Sequence, residues 1–304
     1  MDIKKTIRLL DPFLIEGVLS AKKISHARVV EMLHQLDFTT DKLEQDDDAV
    51  TIKLRILDDS ALCHLLSGEA NKFFLASRVS YERSTQNQLN NASWQAIENY
   101  YSAYYSVHYL LRLTGVSLTN IDGRSAKSIE RGHWHANLPF SVPTGLYVMN
   151  YDSSSAVITL TKNKRRKSGG SHQDAWKLWV ELVEKLSAQT NTDLFEYARI
   201  DMDLTEHKRF LVRSSSKYNP PEIRGEINYQ FKGGSWIFEQ KSAASIGVLQ
   251  RKIAATGLSP ISSASTPENL LANNMFIISL ANAVFVRASE RYPKGICRSL
   301  SNKY

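Results

Sequence analysis

Residues 92–115 read ASWQAIENYYSAYYSVHYLLRLTG, and the rest of the chain is best understood outward from this stretch. It contains no proline, and its one glycine stands at the end. Ile97, Tyr101, Tyr104, Tyr105, His108 and Leu111 recur at steps of three and four, so the segment is expected to be a helix over 92–113 with these residues along one side. The small residues Ala96, Ser102, Ala103 and Ser106 lie between them and would admit a second helix at close range. Gly115 supplies the stop.

Toward the N-terminus, helical patterns cover 6–19 and 25–36, the second with Ser25 as its cap. An acidic run at 44–48 precedes residues 50–56, VTIKLRI, whose strict alternation of apolar and polar residues reads as a half-buried strand. A helix over 60–81 and a polar joint at 84–88 lead into the tyrosine-rich segment. Toward the C-terminus, 146–149 and 157–160 read as a β-hairpin. A basic loop at 162–170 follows, then a helix over 172–187 with a Ser171-x-x-Asp174 capping signature. The stretch 213–235, broken by Asn219-Pro220-Pro221, is expected to be irregular. Thr266 and Pro267 open a last long helix that runs to about residue 291. The expected fold class is mainly α: a helical bundle over 85–304 with a small β-hairpin insertion around 138–165, and an N-terminal α/β extension over 1–84.

With 42% apolar and 23% charged residues among 304, the composition is that of a globular protein and excludes wholesale disorder. Cys63 and Cys297 have no CxxC companion, which argues against a disulfide framework, a zinc ribbon or a dithiol redox site and points to a reducing compartment. The most apolar run, 275–286, is twelve residues long and too short to cross a bilayer. No leader pattern opens the sequence, so a cytoplasmic location without a membrane partner is expected. Charge is unevenly divided. Residues 1–120 carry 13 basic against 15 acidic residues, and residues 121–304 carry 25 against 16, a net of +9. Such an excess in one part of the chain fits either a polyanion-binding face, nucleic acid above all, or a solubilising surface.

The pattern Ala-Ile-x-x-Tyr-Tyr-x-Ala-Tyr-Tyr-x-x-x-x-Leu-Leu, closed by a nearby glycine, resembles the signature helix of the HEPN superfamily (higher eukaryotes and prokaryotes nucleotide-binding domain). The resemblance is centred on 93–115. It implies a helical bundle that pairs as a homodimer and acts on RNA within a toxin–antitoxin or antiviral defence system, with a partner protein of the same system. The implied activity is metal-independent endoribonuclease action; the alternative is a non-catalytic module that binds nucleic acid or a partner. No metal or cofactor is implied.

Two places fit the chemistry that the resemblance requires. His172 follows Arg166 and Arg165 at the spacing of an Arg…His motif, at the first turn of a helix behind Gly169-Gly170. First-turn N–H groups attract phosphate, so Arg165, Arg166 and Lys167 form a candidate phosphate grip there. His34 after Arg28 has the same spacing but precedes the signature helix. The second place is Arg224-x-x-x-Asn228-Tyr229, which matches the Arg-x-x-x-Asp/Asn-Tyr variant of the superfamily, with Arg213 upstream as a further phosphate contact. There Arg224 would hold a phosphate by paired hydrogen bonds and Asn228 would position a ribose hydroxyl. Tyr229, with an ordinary pKa of about 10, is a poor base near neutrality, whereas histidine near 6.5 suits that work. His133-Trp-His135 lacks a third ligand at metal spacing. No dinucleotide, Walker or nucleophile-elbow motif occurs. Trp176, Trp179 and Trp236 lie near basic residues, where an aromatic ring can stack on a base.

Overall fold

A computed structural model describes residues 2–22, 33, 37–86, 92–133, 140–164, 170–214, 217–239, 242–255 and 258–302. The described residues form eleven α-helices, a five-stranded antiparallel sheet and a short two-stranded ribbon, so the protein is mainly helical. Two compact units emerge, each assembled from three separate stretches of chain. One comprises 1–12, 73–107 and 172–285; the other comprises 13–72, 108–171 and 286–304. These units do not follow the expected split at residue 84.

The second unit is built on the sheet, in the order β1-β2-β5-β4-β3: β1 Phe38–Gln45, β2 Ala49–Ile56, β3 Val116–Ile121, β4 Gly145–Asp152 and β5 Val157–Asn163. The anticipated strand is β2, and its alternation sends Val50, Ile52, Leu54 and Ile56 inward. The anticipated hairpin is β4–β5. Its turn is held by Asp152, whose Oδ1 accepts from the backbone N–H and hydroxyl of Ser154. The expected small insertion is thus corrected to a full sheet, in which β2 pairs with β5 across more than a hundred residues (Ile52 opposite Leu160). β1 and β3 escaped the pattern reading for a physical reason. β1 turns only Thr40 and Leu43 inward and carries a bulge between Thr40 and Lys42. β3 buries Ser117 and Thr119, which bond to each other at 2.9 Å, so its inward face is partly polar.

The first unit is helical. The expected helix over 6–19 is broken in two, α1 Ile3–Leu10 and α2 Glu16–Leu19, with a 3-10 turn at Asp11–Phe13 where Pro12 interrupts the ladder; α2 belongs to the second unit. The expected helix at 25–36 lies outside the described residues apart from position 33. α3 Asp59–Thr85 and α4 Ala92–Leu113 each contribute residues to both units. Within the first unit the small residues of α4 do admit a neighbour: Ser77 of α3 places its hydroxyl 3.2 Å from that of Ser102 and 2.8 Å from that of Ser106. In the second unit α4 ends at Gly115, whose φ of +78° and Cβ position 2.6 Å from the Tyr151 carbonyl oxygen leave room for glycine alone. α5 Gly123–Arg131 follows, capped by the Asp122 carboxylate.

α6 Gly170–Thr190 begins earlier than its expected cap, which puts Ser171 inside the first turn. α7 Leu194–Leu211 leads to the ribbon of β6 Val212–Ser214 and β7 Lys217–Tyr218. The region expected to be irregular holds a helix, α8 Asn219–Gln230: Pro220 and Pro221 fall in its first turn, where no intrahelical N–H is needed. Its last carbonyls are closed by Phe231 in the left-handed conformation (φ 51°, ψ 46°), a position that glycine normally takes and that costs a bulky residue about 1–2 kcal/mol. α9 Ser242–Ala254 and α10 Pro267–Arg291 complete this part, and α11 Ile296–Ser301 follows. The Thr266 hydroxyl accepts from the Asn269 N–H, the expected cap. By length and composition α10 as a whole could cross a membrane, although the run 275–286 alone is too short; 67% of its most apolar window is buried inside the protein.

Candidate functional site

α4 brings three tyrosines to one place in the first unit, and α6 and α8 close around them. Tyr100 is fully buried and Tyr104 is 8% exposed, while Tyr101 is partly exposed. α4 is buried on most of its circumference, so Tyr100, outside the anticipated stripe, is the residue that faces the cluster.

His172, in the first turn of α6, stacks on Tyr104 with ring centroids 4.3 Å apart and lies edge-on to Tyr101 at 6.0 Å. Its Nδ1 is 2.7 Å from the Tyr100 hydroxyl. That hydroxyl also accepts from the Trp176 indole N–H at 3.2 Å. Trp176 can only donate, and a phenol carries one proton, so the consistent arrangement has Tyr100 donating to Nδ1. The neutral imidazole then carries its proton on Nε2. Burial, and secondarily the nearby Arg224 charge, push the His172 pKa down to about 4, so the ring is neutral at physiological pH. Burial also raises the Tyr100 pKa, with the Trp176 bond and Arg224 acting in the opposite direction.

Arg224, on the second turn of α8, joins the same wall. Its guanidinium carbon sits 5.5 Å from the ring centre of Tyr100 and 5.8 Å from those of Tyr101 and Tyr229. Nη1 donates weakly to the Tyr229 hydroxyl at 3.5 Å. Nε is buried and has no hydrogen-bond partner among the described residues, and no described carboxylate pairs with this arginine. A buried donor left unpaired is costly, and this one is held in place by the aromatic rings around it. The placement is fixed by Gln173, the neighbour of His172. Its Oε1 accepts from the Tyr218 N–H at 3.1 Å, and its Nε2 donates to Glu222 at 3.1 Å, which ties the start of α8 to the first turn of α6.

The two sequence-derived places therefore merge in part. His172, Arg224 and Tyr229 gather on one aromatic wall; Asn228 lies one turn beyond Arg224, half-buried. Arg213 is engaged elsewhere, in an exposed 2.8 Å ion pair with Glu226. Arg165, Arg166 and Lys167 lie outside the described residues, as do Arg28 and His34. Trp176 and Trp179 are fully buried, one bonded to Tyr100 and the other to His207, while Trp236 is half-buried. The sequence reading missed Tyr100 and Gln173. Tyr100 stood in the quoted helix, but the helical period alone did not select it, and a lone glutamine carries no signal.

His108 is a core residue of the second unit. Its Nδ1 lies 3.2 Å from Nη1 of Arg112, whose Nε donates to Glu69 at 2.7 Å. Among the described residues no three histidine, cysteine or carboxylate side chains are grouped to hold a metal ion. The Arg–His–Tyr cluster offers a fixed cation, a neutral imidazole donor and, at Tyr229, one exposed aromatic ring, a set suited to a phosphodiester with a neighbouring base. No protein-family model matches this chain, and no curated protein or solved structure matches it.

Proposed function

We propose that the chain is an HEPN-like RNA-targeting protein in which the Arg224–His172–Tyr229 cluster grips a phosphodiester and promotes its cleavage without metal. The observation that supports this reading is the gathering of Arg224 and His172 around the Tyr100 ring at 5.5 and 5.9 Å, although 52 positions separate them in the chain. Arg224 would neutralise the scissile phosphate through the terminal N–H groups of its guanidinium. The neighbouring 2′-hydroxyl would attack phosphorus as the bond to the 5′-oxygen breaks, the 2′-hydroxyl proton passing through solvent to the departing 5′-oxygen, so that a cyclic phosphate and a 5′-hydroxyl would result. His172 would donate from Nε2 to a non-bridging oxygen. Asn228 would orient the ribose. The reading carries with it a homodimer and a place in a toxin–antitoxin or antiviral system, which the resemblance implies, and the cytoplasmic setting expected from the two isolated cysteines.

A second reading, a binding module without turnover, is favoured by one observation. Tyr100 occupies the imidazole nitrogen that would otherwise take a proton, so the cluster holds no free base of suitable pKa. Incubating the purified protein with labelled RNA in EDTA separates the two. Products that persist under chelation and vanish in Arg224→Ala support cleavage. RNA retained without products supports the module, and loss of neither binding nor products in Arg224→Ala rejects the site.

A further inference from the structure

Just beyond Arg224, the loop that follows α8 gathers a group of aromatic rings around Trp236. Phe231 is 50% exposed, Phe238 64% and, on the first turn of α4, Trp94 49%. Trp236 joins them. Its ring stacks on Phe238 at 5.5 Å, meets Phe231 edge-on at 5.7 Å and meets Trp94 edge-on at 6.0 Å. All of these residues belong to the first unit.

The group is built rather than incidental. Glu239 folds back and accepts from the backbone N–H groups of Gly234, Ser235 and Trp236 at 2.6, 3.0 and 2.9 Å. Gly233 and Gly234, at φ +99° and +66°, allow the turn that aims those N–H groups inward. The Trp236 indole donates to the Ile227 carbonyl at 2.7 Å, and the Ser93 hydroxyl donates to that of Ser235 at 3.1 Å, which anchors the loop to α8 and to α4. Phe231 holds its strained left-handed backbone while half of the residue stays exposed, its ring edge-on to Trp236 and Phe238.

Charge decides the occupant. Between Tyr229 and Glu239 the only charged residues are Lys232 and Glu239 itself. The Glu239 carboxylate is spent on backbone donors, while Lys232 is exposed, so the loop presents aromatic faces, the exposed Ile237 side chain and a cation. Seven residues of helix at 1.5 Å each put Phe231 roughly 10 Å along the axis from Arg224, about three stacked bases at 3.4 Å.

We infer that Phe231, Trp236, Phe238 and Trp94 form a stacking platform for unpaired bases of a single RNA strand whose phosphate is held at Arg224. The inference rests on the phosphate-gripping role proposed for Arg224 and extends it. Bases inside a duplex have no free faces to offer, so the platform selects single strands.

The test uses the full chain and a short fluorescein-labelled, 2′-O-methylated RNA, single-stranded or annealed to its complement, with binding followed by anisotropy across a salt series. Phe238→Ala is expected to weaken single-strand binding about tenfold, the loss of one stacked base. Duplex binding and the salt slope should not change, because no phosphate contact is lost. Phe238→Trp should restore affinity and Phe238→Leu should not. Wild-type affinity in Phe238→Ala or Phe238→Leu overturns the platform, as does a loss of self-association in place of RNA affinity, which would mark a protein-docking surface. If Arg224→Ala lowers affinity and salt slope while Phe238→Ala changes nothing, the platform fails alone. If only Phe238→Ala matters, the platform stands and the phosphate role of Arg224 falls. A wild-type chain that binds no RNA removes both.

Discussion

The Tyr100 hydroxyl and Nδ1 of His172 lie 2.7 Å apart, joining the centre of α4 to the first turn of α6. Because Trp176 donates to the same oxygen, the pair fixes which imidazole nitrogen carries the proton. Nitrogen-15 NMR of the wild-type protein is therefore expected to show His172 as the Nε2–H tautomer, unprotonated down to about pH 4. In Tyr100→Phe the tautomer preference should relax. A titration midpoint near 6.5, or an Nδ1–H signal in the wild type, contradicts the assignment.

Buried neutral histidines make stability depend on pH. His172 and His207 are both held at about 4, mainly by burial, against roughly 6.5 in the unfolded chain. Their contribution is fully present above pH 6.5 and declines as the pH falls toward 4, because the unfolded state binds the extra protons. At pH 5 the expected loss is about 2 kcal/mol for His207 and about 1 kcal/mol for the more solvated His172. Urea unfolding at pH 7 and pH 5 measures it, and His172→Gln should flatten the profile in part.

Arg224→Ala is expected to weaken RNA binding and reduce the slope of log K against log salt by about one. Arg224→Lys should keep the slope but not the affinity, since a point charge cannot reproduce the planar fork or its stacking on the tyrosine rings. Equal affinity in the lysine variant would show that charge alone matters.

The Arg112–Glu69 pair, with side chains 5% and 11% exposed, is a buried ion pair. Glu69→Ala removes this buried carboxylate from the guanidinium and should cost about 3–5 kcal/mol in urea unfolding. Replacing both partners, Glu69→Leu with Arg112→Met, should recover most of that loss.

Gly115→Ala puts a Cβ within 2.6 Å of the Tyr151 carbonyl oxygen, at a positive φ. A destabilisation of about 2 kcal/mol or more is expected by the same measurement. A neutral result would mean that β4 shifts to make room.

Much of the helical frame was legible because its signals are local. The 92–113 helix, the proline-opened helix at Pro267 and the hairpin around Asp152 each carry their own stop and start residues. The sheet was half legible. β2 alternates cleanly, but β1 is bulged and β3 buries polar side chains, so neither shows the period of a strand. Pro220 and Pro221 misled for a related reason: the same residues end a helix or begin one, according to the turn in which they fall. Arg224, His172 and Tyr229 were recognisable singly. Their meeting was not, because it depends on Tyr100 facing α6 and on Gln173 spanning to Tyr218 and Glu222, contacts between segments far apart in the chain.

β2 completes its ladder only against residues 157–163, and the helical unit closes only with residues as late as 285. During synthesis, β2 emerges with an unpaired edge well before β5 leaves the ribosome. Neither unit can be excised as one continuous fragment, so folding requires closures between segments far apart in the chain, a topology that slows it.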